Sequence, residues 1–253
     1  MKHTGKFTKQ LITALFLAAF LIAGIGGYLG SGVQAVQAKK KTYTVTIVGN
    51  SLIGNGSQKK YFKQIAKLFG TNIKVYDQIN NGYQLSDHVL DAKFNEYNIR
   101  KQLKKSDIVI FQEYGTRYET TYKDILKLQK YMKKSARSYY YQTEFDVPGG
   151  ELIQKLTKHG VKIIRAEAAI QRLQDLGYMY EELHEPGDYH PNEYNGYTAA
   201  ILMYTQIFGK KCTGYPVEKC PKKYRTFLRG KDWTEKKQAL KTILKELEAI
   251  RKG

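Results

Sequence analysis

The chain is expected to fold as an α/β domain on a mainly parallel sheet, and three features of its sequence predict this. Four short runs of apolar and β-branched residues, at 43–48, 72–76, 107–111 and 161–165, are each bounded by turn signals and read as strands. Helical patterns at 59–69, 95–104, 118–133 and 148–159 alternate with them, and two more follow at 194–208 and 234–252. Such alternation implies parallel strands covered by helices on both faces. Polar turn residues also gather after the strands, at Gly49-Asn50-Ser51, Asn80-Asn81-Gly82 and Gln112-Glu113. Open parallel sheets bind ligands at these carboxyl ends.

The elements follow in order. Thr44, Val45, Thr46, Ile47 and Val48 make a buried β-branched strand that stops at Gly49. Phe62, Ile65, Ala66 and Phe69 share one face of the helix at 59–69. The helix at 148–159 has Pro148 in its first turn and Gly160 just past its end, the usual asymmetry. The last helix carries a stripe of Leu240, Ile243, Leu244 and Leu247 that would pack on the sheet. No internal repeat is present.

Residues 1–38 form a separate segment. Lys2, Lys6 and Lys9 precede an apolar stretch from Leu11 to Leu29, and Val36-Gln37-Ala38 fits a small-x-small cleavage site. That order of charge, apolar core and cleavage site is a secretory signal. The stretch also approaches the ~18–20 residues that span a bilayer, so an uncleaved anchor is the alternative. Either reading places residues 39–253, a single domain, outside the cytoplasm, as a secreted or membrane-anchored extracellular protein. Cys212 and Cys220 bracket a short loop, and in an extracellular chain such a pair suggests a disulfide.

The formal net charge is +19, and losing residues 1–38 removes three lysines and no acid, leaving +16. Such a surface concentrates near anionic polymer or a membrane surface. No nucleic-acid recognition motif accompanies the charge, so no specific nucleic acid is expected. The 21 tyrosines, Tyr139-Tyr140-Tyr141 among them, suit sugar-stacking platforms or ordinary half-buried positions. Two cysteines and no histidine pair at ligand spacing make no metal site, and no phosphate-binding loop is present. No cofactor is expected.

A serine hydroxyl needs a base within hydrogen-bond reach to act as a nucleophile. Ser51, at a strand end, and His190, two residues after Asp188, supply the parts. Singly, each has a plain structural use in a turn or a helix entry. His88, His159 and His184 lack comparable partners in sequence and read as packing or surface histidines.

These residues together resemble the SGNH, or GDSL-like, hydrolase superfamily over most of 43–208. Val48-Gly49-Asn50-Ser51-Leu52 looks like its first block, with Asn50 where many members have Asp. Gly82 looks like the second-block glycine, Gln112-Glu113 stands at the third block, and Asp188-Tyr189-His190-Pro191 looks like the fifth. The resemblance implies a flavodoxin-like three-layer α/β/α sandwich and ester hydrolysis, commonly of acyl esters on sugars or lipids. It implies Ser51 as nucleophile, His190 as base, and an oxyanion hole from the Ser51 and Gly82 N–H groups. Two departures stand out. Gln112 replaces the usual oxyanion-donating Asn, and its longer amide is expected to take that role. The usual Asp-x-x-His is here Asp188-x-His190, with Glu185 or a backbone carbonyl as alternative partners for the imidazole.

The function expected is an extracellular serine esterase acting on an acylated, chiefly acetylated, carbohydrate or cell-wall polymer. A non-catalytic wall-polymer-binding module on the same fold, or an acyltransferase, remains open. Serine-dependent turnover of a small ester separates the first from the second.

Overall fold

The computed structural model describes residues 41–114, 118–146 and 150–253. The segment read as signal or anchor, and Pro148, lie outside these residues. Five strands form one all-parallel sheet: β1 (Thr42–Gly49), β2 (Asn72–Ile79), β3 (Ile108–Phe111), β4 (Arg137–Gln142) and β5 (Lys162–Arg165). Their order is β2-β1-β3-β4-β5, the flavodoxin-like arrangement, whose switch point falls between β1 and β3. The helices are α1 (Ser51–Gly54), α2 (Gln58–Leu68), α3 (Leu85–Phe94), α4 (Ile99–Lys105), α5 (Tyr118–Gln129) and α6 (Glu151–Lys158). They continue with α7 (Ala166–Asp175), α8 (Tyr180–Leu183), α9 (Glu193–Phe208), α10 (Lys222–Phe227) and α11 (Trp233–Lys252).

Two hydrophobic cores flank the sheet, which makes the fold a three-layer sandwich. Val45 and Ile47 of β1 pack with α2, α7, α9 and α11, where Phe62, Ile170, Ile201 and Leu244 are buried. Val48 of β1 faces the other core, with Leu85 of α3, Leu103 of α4, Ile125 of α5 and Leu156 of α6. Successive strand residues point to opposite faces, so a strand buried on both sides is apolar throughout.

Strand β4 was not expected from the sequence. Tyr139 and Tyr141 enter the first core and Tyr140 the second, all three buried. They are neither stacking platforms nor half-buried. Buried tyrosine needs a partner for its hydroxyl. Tyr140 donates to Asp146 Oδ1 at 2.8 Å, and Tyr139 donates to the Ile207 carbonyl at 3.4 Å. Helix α3 was also unforeseen. The expected helix at 95–104 begins later, at Ile99, because Asn95, Tyr97 and Asn98 hold positive φ and break the chain between α3 and α4.

Cys212 and Cys220 are free buried thiols rather than a disulfide. Each has its own surroundings. Cys212 Sγ lies 3.0 Å from Thr205 Oγ1, and the Cys212 N–H donates to Glu248 of α11 at 2.8 Å. Burial pushes the thiols up to about 11 and about 12 respectively. They are inert packing residues.

One close approach positions the site. Gly56, in the turn after α1, lies against Gly196 in the first turns of α9. A Cβ built on Gly196 would sit 1.7 Å from the Gly56 carbonyl oxygen. Ser51 and His190 lie a few residues before these two glycines, so the contact sets how closely their segments meet. Because the opposing atom is backbone, it has no rotamer to escape by. Gly196→Ala is therefore expected to destabilise the fold by about 3 kcal/mol, as overpacking does, a loss that urea unfolding would register.

Candidate active site

Strand β1 ends at Gly49, and the peptide joining Gly49 to Asn50 is held at both of its polar groups. His88 of α3 donates from Nε2 to the Gly49 carbonyl at 3.0 Å. Gln112, just past β3, accepts the Asn50 N–H at its Oε1 at 2.9 Å. Both side chains are buried. Burial lowers the His88 pKa and keeps the ring neutral, as an Nε2–H donor. A Cβ on Gly49 would lie 2.6 Å from Gln112 Oε1 and would push the amide away from the Asn50 N–H.

Asn50 then caps α1. Its Oδ1 accepts the Leu52 N–H at 3.0 Å, and its Nδ2 donates to the Tyr83 carbonyl at 2.9 Å. The side chain thus joins the Ser51 turn to the loop holding Gly82. That loop is a turn closed by the Tyr83 N–H on the Asn80 carbonyl at 3.1 Å, with Gly82 at φ +73°. Glycine is favoured at the third position of such a turn. Glu113, buried beside Gln112, fastens the next segment by accepting the Leu85 and Tyr114 N–H groups at 2.7 Å each. Burial raises its pKa, while these two bonds pull the other way.

His190 arrives on a loop between α8 and α9. The turn at its tip has the Asp188 N–H on the Glu185 carbonyl at 3.0 Å, with Pro186 and Gly187 between them and Gly187 at φ +72°. At its base His184 and Pro191 form an antiparallel bridge. Asn192 Nδ2 donates to the Glu182 and His184 carbonyls at 2.8 and 3.1 Å.

The structure brings Ser51, His190 and Asp188 together. Ser51 Oγ lies 2.7 Å from His190 Nε2, and His190 Nδ1 lies 2.7 Å from Asp188 Oδ2. The hydroxyl donates to Nε2 when Nδ1–H donates to the carboxylate, the tautomer a serine nucleophile needs. The bond from His190 holds the Asp188 pKa below the usual carboxylate range. Asp188, not Glu185, is the imidazole's carboxylate. Ser51, Gly82 and His190 line a cleft of about 190 Å³ together with Asn50, Tyr114 and Tyr189.

Gln112 was expected to donate its amide N–H to the oxyanion. It does not line this cleft, and its carboxamide oxygen is used beneath the turn to hold Asn50. Its oxygen positions the turn, while its Nε2 donor is buried with no hydrogen-bond partner among the described residues. His88 is likewise a buried support of the turn. The signal for it was available: His88 falls between Leu85 and Ala92 on the buried stripe of α3, a polar side chain on an apolar face.

No family model matches the chain, and no curated protein matches it. Solved structures do. One is a DUF4886 family protein from Bacteroides uniformis, at TM-score 0.60 and 18% identity, covering 81% of this chain and 93% of that one. A putative SGNH hydrolase from Slackia heliotrinireducens matches at TM-score 0.50 and 16% identity, covering 65% and 98%. The fold is SGNH-hydrolase-like. An acetyl xylan esterase from Geobacillus stearothermophilus has TM-score 0.52 and 16% identity, over 66% of this chain and 95% of that one. In this SGNH-like fold the serine and histidine segments leave β1 and enter α9, with α9 packed against α2 in the first core.

His184 was read as a packing or surface histidine. It is buried, and both ring nitrogens face acceptors: Nδ1 the Tyr180 carbonyl at 2.8 Å and Nε2 the Glu144 carboxylate at 2.7 Å. A neutral imidazole donates only once, so this arrangement favours the imidazolium. Burial pulls its pKa down, but the bonds to Glu144 and Tyr180 prevail and raise it. The stabilisation is therefore full below the unfolded imidazole pKa and is lost as pH rises through the elevated folded value.

Two predictions follow from these contacts. Asn50→Asp replaces the amide donor with a carboxylate oxygen against the Tyr83 carbonyl, and is expected to cost about 1–3 kcal/mol in denaturant unfolding. Glu144→Gln is expected to lower Tm more at pH 5.5 than at pH 9, with the gap to wild type closing as pH rises. An equal Tm deficit at both pH values would show that His184 carries no charge in the fold.

Proposed function

We propose that this chain is an extracellular serine esterase that removes short acyl groups, chiefly acetyl, from a carbohydrate or cell-wall polymer. The observation that carries this reading is the hydrogen-bonded series Ser51–His190–Asp188 opening on a small cleft. In it, His190 Nε2 takes the Ser51 proton as Oγ attacks the ester carbonyl. Asp188 holds the imidazole tautomer and stabilises the imidazolium that forms. The oxyanion accepts from the Ser51 and Gly82 N–H groups, a contribution worth on the order of 10²–10³ in rate per donor. His190 then returns the proton to the departing alcohol, and water repeats the sequence on the acyl-serine.

The size of the cleft supports a short acyl group, since drug-sized ligands occupy roughly 300–1,000 Å³ and this cleft holds about 190 Å³. The fold supports the hydrolase class by analogy, two of its structural relatives being named as an SGNH hydrolase and an acetyl xylan esterase. The charge of +19 supports retention of the enzyme on an anionic wall or membrane surface. The N-terminal apolar segment supports an extracellular location.

Hydrolysis of p-nitrophenyl acetate is expected to fall at least about 10³-fold in Ser51→Ala and in His190→Ala with the fold intact. The wild type is expected to prefer p-nitrophenyl acetate over the octanoate by about tenfold or more in kcat/KM, from the limited room for added methylenes. Wild-type turnover no faster than that of Ser51→Ala would refute the esterase.

A further inference from the structure

We propose that the cavity between Tyr180 and the His190 loop, which shares Tyr189 with the Ser51 cleft, is a sugar subsite for the alcohol half of the ester, and that it selects sugars without anionic substituents. The proposal rests on the esterase reading and names the substrate class of that same site.

A second cavity, of about 640 Å³, adjoins the cleft. Its walls are Tyr180 and the loop that carries Asp188 and His190, including Pro186 and Tyr189. Tyr189 lines both cavities and is the wall common to them. The chemistry assigns them different halves of the ester. The carbonyl oxygen must lie at the Ser51 and Gly82 N–H groups, in the smaller cleft. The leaving oxygen must lie beside His190 to receive its proton. The alcohol therefore departs along the His190 loop, toward the larger cavity.

The walls of that cavity suit a sugar ring. Tyr180 and Tyr189 are 39% and 44% exposed. Each is backed by an imidazole: Tyr180 stacks on His184 with ring centres 3.7 Å apart, and Tyr189 stacks on His190 at 4.6 Å. An aromatic ring held on one face loses little freedom when a ligand covers the rest. Tyr189 is braced further by Phe145, which meets it edge-on at 5.5 Å and stacks on Tyr114 at 5.4 Å. Amphipathic rings of this kind present an apolar body to sugar C–H groups and a hydroxyl to their oxygens.

Charge narrows the choice. Glu181, Glu185 and Asp188 line the larger cavity, neither cavity is lined by a lysine or arginine, and the charge of His184, which also lines the larger one, is already paired with Glu144. A chain of charge +19 thus presents carboxylates where the substrate's sugar would lie. Uronate or phosphate on that sugar is repelled, and a neutral sugar or an amino sugar is accepted. The basic surface retains the enzyme on an anionic matrix, while the ester it cleaves sits on an uncharged or cationic residue.

The test reads binding in the full chain carrying Ser51→Ala, so that it does not depend on turnover. Calorimetric titration uses xylohexaose, cellohexaose, the chitosan hexamer and the galacturonate hexamer. At least one of the first three is expected to bind, with the galacturonate hexamer at least tenfold weaker. Adding Tyr180→Ala is expected to weaken binding at least tenfold, whereas Tyr180→Phe, which keeps the ring over His184, retains it. Glu181→Gln with Glu185→Gln is expected to narrow the gap between neutral and galacturonate hexamers. No binding by any of the first three, unchanged affinity in Tyr180→Ala, or galacturonate bound as tightly as the best of them would overturn the subsite. Failure of the esterase reading would register separately, as wild-type p-nitrophenyl acetate turnover equal to that of Ser51→Ala.

Discussion

The candidate site depends on one buried peptide, the Gly49–Asn50 unit that immediately precedes Ser51. Its carbonyl is taken by His88 and its N–H by Gln112, so neither group is left unpaired where the strand ends. Leaving either one unsatisfied in a buried place would cost about 1–3 kcal/mol. More consequential is the geometry, since a peptide plane gripped at both edges cannot rotate. The direction in which Ser51 leaves the sheet is set before the serine itself makes any contact. Asn50 then passes that order on, fixing α1 with one side of its amide and the Gly82 loop with the other.

The supports come from separate parts of the chain because a parallel sheet collects them. At the switch point between β1 and β3, the segments after β1, β2 and β3 end on the same edge. Gln112 and Glu113 follow β3, Gly82 follows β2, and His88 reaches back from α3 on the second-core face. The histidine enters from the other face, on the loop leading into α9. The backbone contact between Gly56 and Gly196 joins these two halves. The cleft is thus a seam between the two cores, stiff because each wall is anchored in packed structure.

Electrostatics divide the molecule by depth. The surface is basic overall, yet the interior and the loop around His190 hold carboxylates. Burial pushes Asp146 up to about 6 and Glu167 up to about 7. Glu144, two residues before Asp146, is bonded to His184 at the base of the His190 loop. A chain's net charge therefore does not describe the charge around a particular cleft.

The α/β class, four of the five strands and the loops that meet at their ends were legible in the sequence, because β-branched runs and turn residues are local signals. So were Ser51, Gly82, Asp188 and His190 as candidates, through their order along the chain and their match to the motif blocks. Strand β4 was not, since Arg137-Ser138-Tyr139-Tyr140-Tyr141-Gln142 lacks aliphatic residues, and only the packing provides partners for its hydroxyls. The cysteines followed their spacing toward a bridge, whereas packing gave each thiol its own neighbours. Gln112 looked like a donor to substrate because its type and position allowed it. That its oxygen holds the Asn50 N–H was visible only in the tertiary structure. Asp188 and His190 stand two residues apart in any conformation, but the turn at Pro186-Gly187 decided that carboxylate and imidazole meet. By itself the sequence determined which chemical groups were available and in what order. Which atoms face each other was decided only by the fold, because hydrogen-bond direction and distance depend on segments remote in sequence that the sheet brings to one edge.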